Sequence, residues 1–113
     1  MLSLPPTVRV FLSTEPADMR WSFDRLAAIV RDSLCQEPLS GHLFVFRNRR
    51  EDRVKILYWD RSGFALWYKR LEEGTFRFPA VGAPSVRVEA AELALLLEGI
   101  DLEGARRRKR FYR

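Results

Sequence analysis

The stretch Ser40 to Pro79, SGHLFVFRNRREDRVKILYWDRSGFALWYKRLEEGTFRFP, decides the fold, because aromatic strand-forming segments alternate in it with arginine-rich turns. The apolar run Leu43-Phe44-Val45-Phe46 leads into the polar Arg47-Asn48-Arg49-Arg50-Glu51-Asp52-Arg53, and Val54-Lys55-Ile56-Leu57-Tyr58-Trp59 follows. Two strands flanking a polar turn make a β-hairpin with a cationic tip. Arg61-Ser62-Gly63 is a second turn, and Phe64 to Leu71 a third segment. Its length and aromatic content favour a strand, with a short helix over 64–73 as the alternative. Glu72-Glu73-Gly74 signals a further turn before Thr75-Phe76-Arg77-Phe78-Pro79, so residues 42–79 read as an antiparallel meander of four strands.

Upstream, Thr7 to Leu12 alternates as a strand with Val8, Val10 and Leu12 on one face, and Pro5-Pro6 keep the preceding residues out of a ladder. After the connection Ser13 to Asp18, the stripe Phe23, Leu26, Ala27, Val30 and Leu34 has helical spacing. It predicts a helix of three to four turns ending before Pro38, capped by Ser22 or Asp18, with Cys35 a small buried or boundary residue at its end. Downstream, 79–84 is a Pro/Gly loop, Val86-Arg87-Val88 a short strand, and Glu89 to Glu98 a helix stopped by Gly99. The expected architecture is an α+β domain of order β-α-β-β-β-β-α, with a mostly antiparallel sheet, two helices packed on one face of it and a basic C-terminal tail.

At 113 residues and 47% hydrophobic content the chain suits one core, placed at residues 1–103. No stretch approaches the roughly 18 apolar residues of a membrane span, and no leader pattern opens the sequence, which predicts a cytoplasmic protein with no membrane partner. One cysteine and one histidine, Cys35 and His42, make neither a disulfide nor a metal cluster, so neither a cofactor nor a metal is expected. The net charge of +5 is localised: residues 104–113, GARRRKRFYR, hold six of the 20 Lys and Arg and no acid, leaving 14 cations against 15 acids in residues 1–103. Such a terminal block of like charge is expected to stay unfolded until it meets an anion, with DNA the first candidate and RNA or an acidic protein surface satisfying the same demand.

The words Ser40-Gly41-His42, Asp52-Arg53-Val54-Lys55-Ile56-Leu57, Trp59-Asp60 and Lys69-Arg70-Leu71-Glu72 carry a resemblance. It extends through Val8-Arg9-Val10-Phe11-Leu12, Asp18-Met19-Arg20, Phe23-Asp24 and Leu96-Leu97-Glu98-Gly99-Ile100-Asp101. Across nearly its whole length the chain resembles the TnpB-type accessory proteins, the second open reading frame, of insertion-sequence family sixty-six, which are distinct from the RNA-guided nuclease of the same name. The resemblance implies a role in transposition beside a separate, larger transposase that carries out strand transfer. Two positions depart from the family wording: Trp21 stands where a basic residue is usual, and Arg25 where a glycine is usual. The second suggests that no special backbone angle is needed at 25, arginine being the better helix former.

Three groups are candidates for binding nucleic acid. Arg47, Arg49, Arg50, Arg53 and Lys55 at the hairpin would hold phosphates through charge-assisted hydrogen bonds, or else form a solvated tip offset by Glu51 and Asp52. Tyr58, Trp59, Trp67 and Tyr68, beside Lys55, Lys69 and Arg70, would stack unpaired bases, with Trp59 and Trp67 the foremost candidates; core packing is the stronger explanation, since alternation turns at least one of them inward. The tail Arg106-Arg107-Arg108-Lys109-Arg110 would add sequence-independent attraction to DNA. Catalytic patterns are poor: no phosphate loop or HExxH word occurs, His42 begins an aromatic strand, and Asp18, Asp24, Asp60 and Asp101 suit caps and turns better than a two-metal site. The reading is a non-enzymatic transposition accessory protein that binds insertion-sequence ends, the transposase, or both. The alternative is a protein–protein adaptor that assembles the transposase complex without recognising DNA directly.

Overall fold

The computed structural model describes residues 5–79 and 82–100. Strand β1 (Val10–Ser13) leads to helix α1 (Phe23–Asp32), a 3-10 turn over Pro38–Ser40, then strands β2 (Leu43–Arg47), β3 (Arg53–Trp59), β4 (Phe64–Arg70) and β5 (Ser85–Val88), and helix α2 (Ala90–Leu97). They form one five-stranded sheet of order β4-β3-β2-β1-β5. The β1–β2 pair, joined through α1, is parallel, and the other three pairs are antiparallel. Residues 64–70 are a strand, and the expected α+β order holds.

Strand alternation splits the core into two layers. Val10, Leu12, Leu43, Val45, Val54, Ile56 and Val88 face α2 and pack with its Leu93, Leu96 and Leu97. Phe11, Phe44, Phe46 and Leu57 face α1 and pack with Leu26, Ala27 and Val30. One helix therefore covers each face of the sheet, correcting the expectation that both share a face. The reason lies in β2, whose four consecutive apolar residues Leu43 to Phe46 are all buried: a central strand with no polar alternate needs cover on both sides.

The fourth strand of the meander is also corrected. Residues 75–79 are not a strand; β5 supplies the fifth member instead, beside β1 at the opposite edge from β4. The chain between these edges crosses the α2-facing side, burying Phe76 fully and packing Phe78 against the same layer. The Phe76 amide donates to the Glu51 carbonyl at 2.6 Å and that of Leu71 to the Asp52 carbonyl at 2.8 Å, so backbone bonds that would extend a ladder are spent bracing the hairpin tip.

At the helix ends, Ser22 occupies the position before α1 without a side-chain capping bond. Asp18 instead accepts from the Arg20 amide, shaping the preceding loop. Cys35 is exposed, not buried, and holds a left-handed backbone (φ 56°) in the turn after α1. Helix α2 begins with the Glu89 amide donating to the Glu92 carboxylate and ends at Gly99, whose φ of 81° allows its own amide and that of Ile100 to bond back to Leu96 and Leu95.

Candidate nucleic-acid interface

The β2–β3 turn is organised by Asn48. Its side-chain oxygen accepts from the amides of Asp52 and Arg53, its amide nitrogen donates to Asp52 Oδ1 at 2.6 Å, and its carbonyl accepts from the Glu51 amide. Glu51 adopts a left-handed conformation (φ 64°) to close the loop. This cage fixes the two residues it encloses, Arg49 and Arg50, at the outside of the turn. Both are exposed, and no hydrogen bond or salt bridge holds either among the described residues. The charge of Arg50 is nonetheless felt by Asp52, whose carboxyl lies below its ordinary range chiefly because of the bond from Asn48.

Arg49, Arg50 and Arg53 line a shallow cavity of about 370 Å³ with Ala17, Asp18 and Met19 of the loop before α1. Arg53 is the direct cross-strand neighbour of Arg70, so two guanidinium groups start side by side on the α1 face. Arg70 is partly offset by Glu72 at 2.9 Å, and Arg53 donates to the Tyr68 hydroxyl at 3.3 Å. Asp18 is held down to about 2 first by the side-chain bond from Arg20, then by the Arg20 amide. Asp18 and Asp52 are thus committed to Arg20 and Asn48, whereas no hydrogen bond or salt bridge among the described residues engages the Arg49 and Arg50 guanidinium groups.

The remaining predicted residues lie elsewhere. Lys55 is only 8% exposed, and its Nζ donates to the carbonyls of Met19 and Trp21, both at 2.7 Å. It ties the loop before α1 to the sheet and is not a surface cation. Arg47 points to the α2 side, donates to the Thr14 carbonyl at 3.2 Å and lies over the Phe78 ring. Lys69 donates to the Leu97 carbonyl at 2.9 Å, satisfying the C-terminus of α2. Trp67 is half-buried in the α2-side layer, away from the arginines. Trp59 packs edge-on against Phe64 at 5.2 Å, roughly 20 Å along β3 from Arg53 at about 3.3 Å per residue. The exposed aromatic beside the arginines is Tyr68, 48% accessible. Arg106 to Arg110 lie outside the described residues. Alternation along β4 sets Tyr68 and Arg70 on one side of the strand, and the cross-strand register brings Arg53 alongside.

Comparison with known proteins adds the context. The family described as IS66 Orf2 like protein matches residues 8–107. The chain belongs to the IS66 Orf2 like family. Among its relatives are two proteins of Sinorhizobium fredii (strain NBRC 101917 / NGR234). "Uncharacterized protein y4jC" is 38% identical over 89% of this chain and 86% of its own length. "Uncharacterized protein y4hO" is 40% identical over 89% of this chain and 88% of its own. No solved structure matches the chain significantly. Membership of the IS66 Orf2 like family makes this an insertion-sequence accessory protein. The two departures from the family wording meet in space: the Arg25 guanidinium lies 4.8 Å from the centre of the Trp21 ring, a cation–π contact between the first turn of α1 and the loop that precedes it. No helix among the described residues is long and apolar enough to cross a membrane, and no group of three or more His, Cys, Asp or Glu among them is placed to hold a metal ion.

Proposed function

We propose that this IS66 Orf2 like protein is a non-catalytic, cytoplasmic factor in transposition that binds the DNA of insertion-sequence ends and, with it, the transposase. The observation that carries the proposal is the placement of Arg49 and Arg50, held in the turn by the Asn48 cage and without a hydrogen-bond or salt-bridge partner among the described residues, beside Arg53 and its cross-strand neighbour Arg70. Like charges directly opposite across a strand pair destabilise a sheet, and a phosphate between them relieves that repulsion. The contacts are to the backbone, so they position a duplex without reading its sequence. Lys55, Arg47 and Lys69 are structural in this account. The tail cations Arg106 to Arg110 add attraction by charge alone.

Salt titration tests this. Four phosphate contacts from Arg49, Arg50, Arg53 and Arg70 give a slope of log affinity against log salt of about −3.6, or a loss of roughly 100-fold between about 50 and 200 mM salt. Contacts by the tail steepen it. Affinity that does not change over this range refutes phosphate binding. A second reading is favoured by one feature: β4 is a seven-residue strand at the sheet edge, where no other described strand pairs with its outer side. Such an edge can accept a strand of a transposase, making the protein an adaptor.

A further inference from the structure

We infer that Tyr68 is a stacking platform for an unpaired DNA base, so that this face prefers single-stranded DNA or a frayed end over a closed duplex. The inference rests on the proposed DNA-binding role and specifies the form of DNA that the same face receives. Tyr68 stands out among the aromatic residues of the sheet. It is 48% exposed, whereas Trp67 is packed in the α2-side layer and Trp59 lies against Phe64.

Its ring is held on two sides. Lys55, the direct cross-strand neighbour, places Nζ 5.0 Å from the ring centroid, and that lysine is itself anchored by two carbonyls. One ring face therefore rests on a fixed cation, while nearly half of the residue remains accessible at 48%. Arg53 donates to the hydroxyl at 3.3 Å, restricting rotation of the side chain. A ring fixed in this way loses little freedom when a base stacks on it, which is the condition for stacking to yield net affinity. The arginines complete the site: Arg53 and Arg70 flank Tyr68 within the β3–β4 ladder, and Arg49 and Arg50 lie beyond Arg53 at the tip. A π surface beside a short row of cations matches an unpaired nucleotide, whose base face and phosphate are presented together. A closed duplex offers the phosphate but keeps its base faces stacked inside.

The test is fluorescence anisotropy with the full chain, using a labelled oligo-dT strand and a blunt duplex of equal length at one salt concentration. Tyr68→Leu is expected to weaken strand binding roughly tenfold or more, the scale of one lost base stack, and to change duplex binding less than twofold. Tyr68→Phe keeps the ring over Lys55 but loses the bond from Arg53, so its strand affinity is expected to fall between those of the parent and Tyr68→Leu, with duplex binding changed less than about twofold. Equal losses on strand and duplex, or no loss on either, overturn the platform. The double variant Arg49→Glu with Arg50→Glu separates the two claims: if it weakens both ligands while Tyr68→Leu weakens neither, phosphate binding stands and the platform falls. A parent protein that binds neither ligand overturns both.

Discussion

Lys55 shows how far one residue's role depends on what the fold brings to it. In the sequence it is one more cation beside an arginine cluster; in the structure its ammonium group joins two loop carbonyls to the sheet beneath the Tyr68 ring. Lys55→Met keeps the length of the side chain and leaves both carbonyls without their donor, so it should lower unfolding stability by about 1–3 kcal/mol, measured by urea denaturation. A variant as stable as the parent would show that the carbonyls need no such partner. His42 gives a pH-dependent counterpart. Its Nδ1 accepts from the Arg9 amide at 3.0 Å, which requires the neutral ring, and burial first, then Arg9 and Arg87, hold its pKa below the ordinary value. The unfolded chain therefore takes up this proton at higher pH than the folded one, and stability from His42 is present above about pH 6.5 and is lost as pH falls through the lower folded value. Urea midpoints at descending pH should show this decline, and it should shrink in His42→Gln. An undiminished decline in that variant would assign it to other groups.

The hairpin and α2 were legible because their signals are local: apolar runs bounded by turn residues, and Gly99 after the last apolar repeat; β4 was legible only in part, because residues 64–73 also suited a short helix. The Thr75–Pro79 segment was not, since its alternation of aromatic and polar residues suits a strand equally well. Its course is set by non-local bonds from Leu71 and Phe76 to the tip and by the need to reach the far edge of the sheet. Phe76 is consequently a plug, fully buried although it lies in a loop. Phe76→Ala should cost about 3–5 kcal/mol, the range for a fully buried phenylalanine, whereas Arg77→Ala beside it, exposed, should stay within about 0.5 kcal/mol. Similar small losses for both in thermal or chemical unfolding would contradict the plug. The two-sided cover of the sheet had a signal in the unbroken Leu43–Phe46 run, which fits a strand buried on both faces better than one with a solvent side. The candidate site was legible only in part. Composition marked the arginines, but sorting them needed the register that joins Arg53 to Arg70 and the contacts that withdraw Arg47, Lys55 and Lys69.

At the scale of the molecule, a sheet covered by a helix on each face provides a rigid support, and a short turn at one end presents the arginines. The support and the binding surface are separable because Arg49 and Arg50 lie outside both core layers. Charge reversal at these two residues, Arg49→Glu with Arg50→Glu, therefore tests the central claim most directly. It replaces two attractive contacts with two repulsive ones and touches no buried group. At moderate salt, DNA affinity should fall more than tenfold, about 1.4 kcal/mol or more, with unfolding stability unchanged to within about 0.5 kcal/mol. Unchanged DNA affinity in a folded double variant would contradict the account, and if capture of the transposase were lost at the same time, the tip would be a protein-docking element.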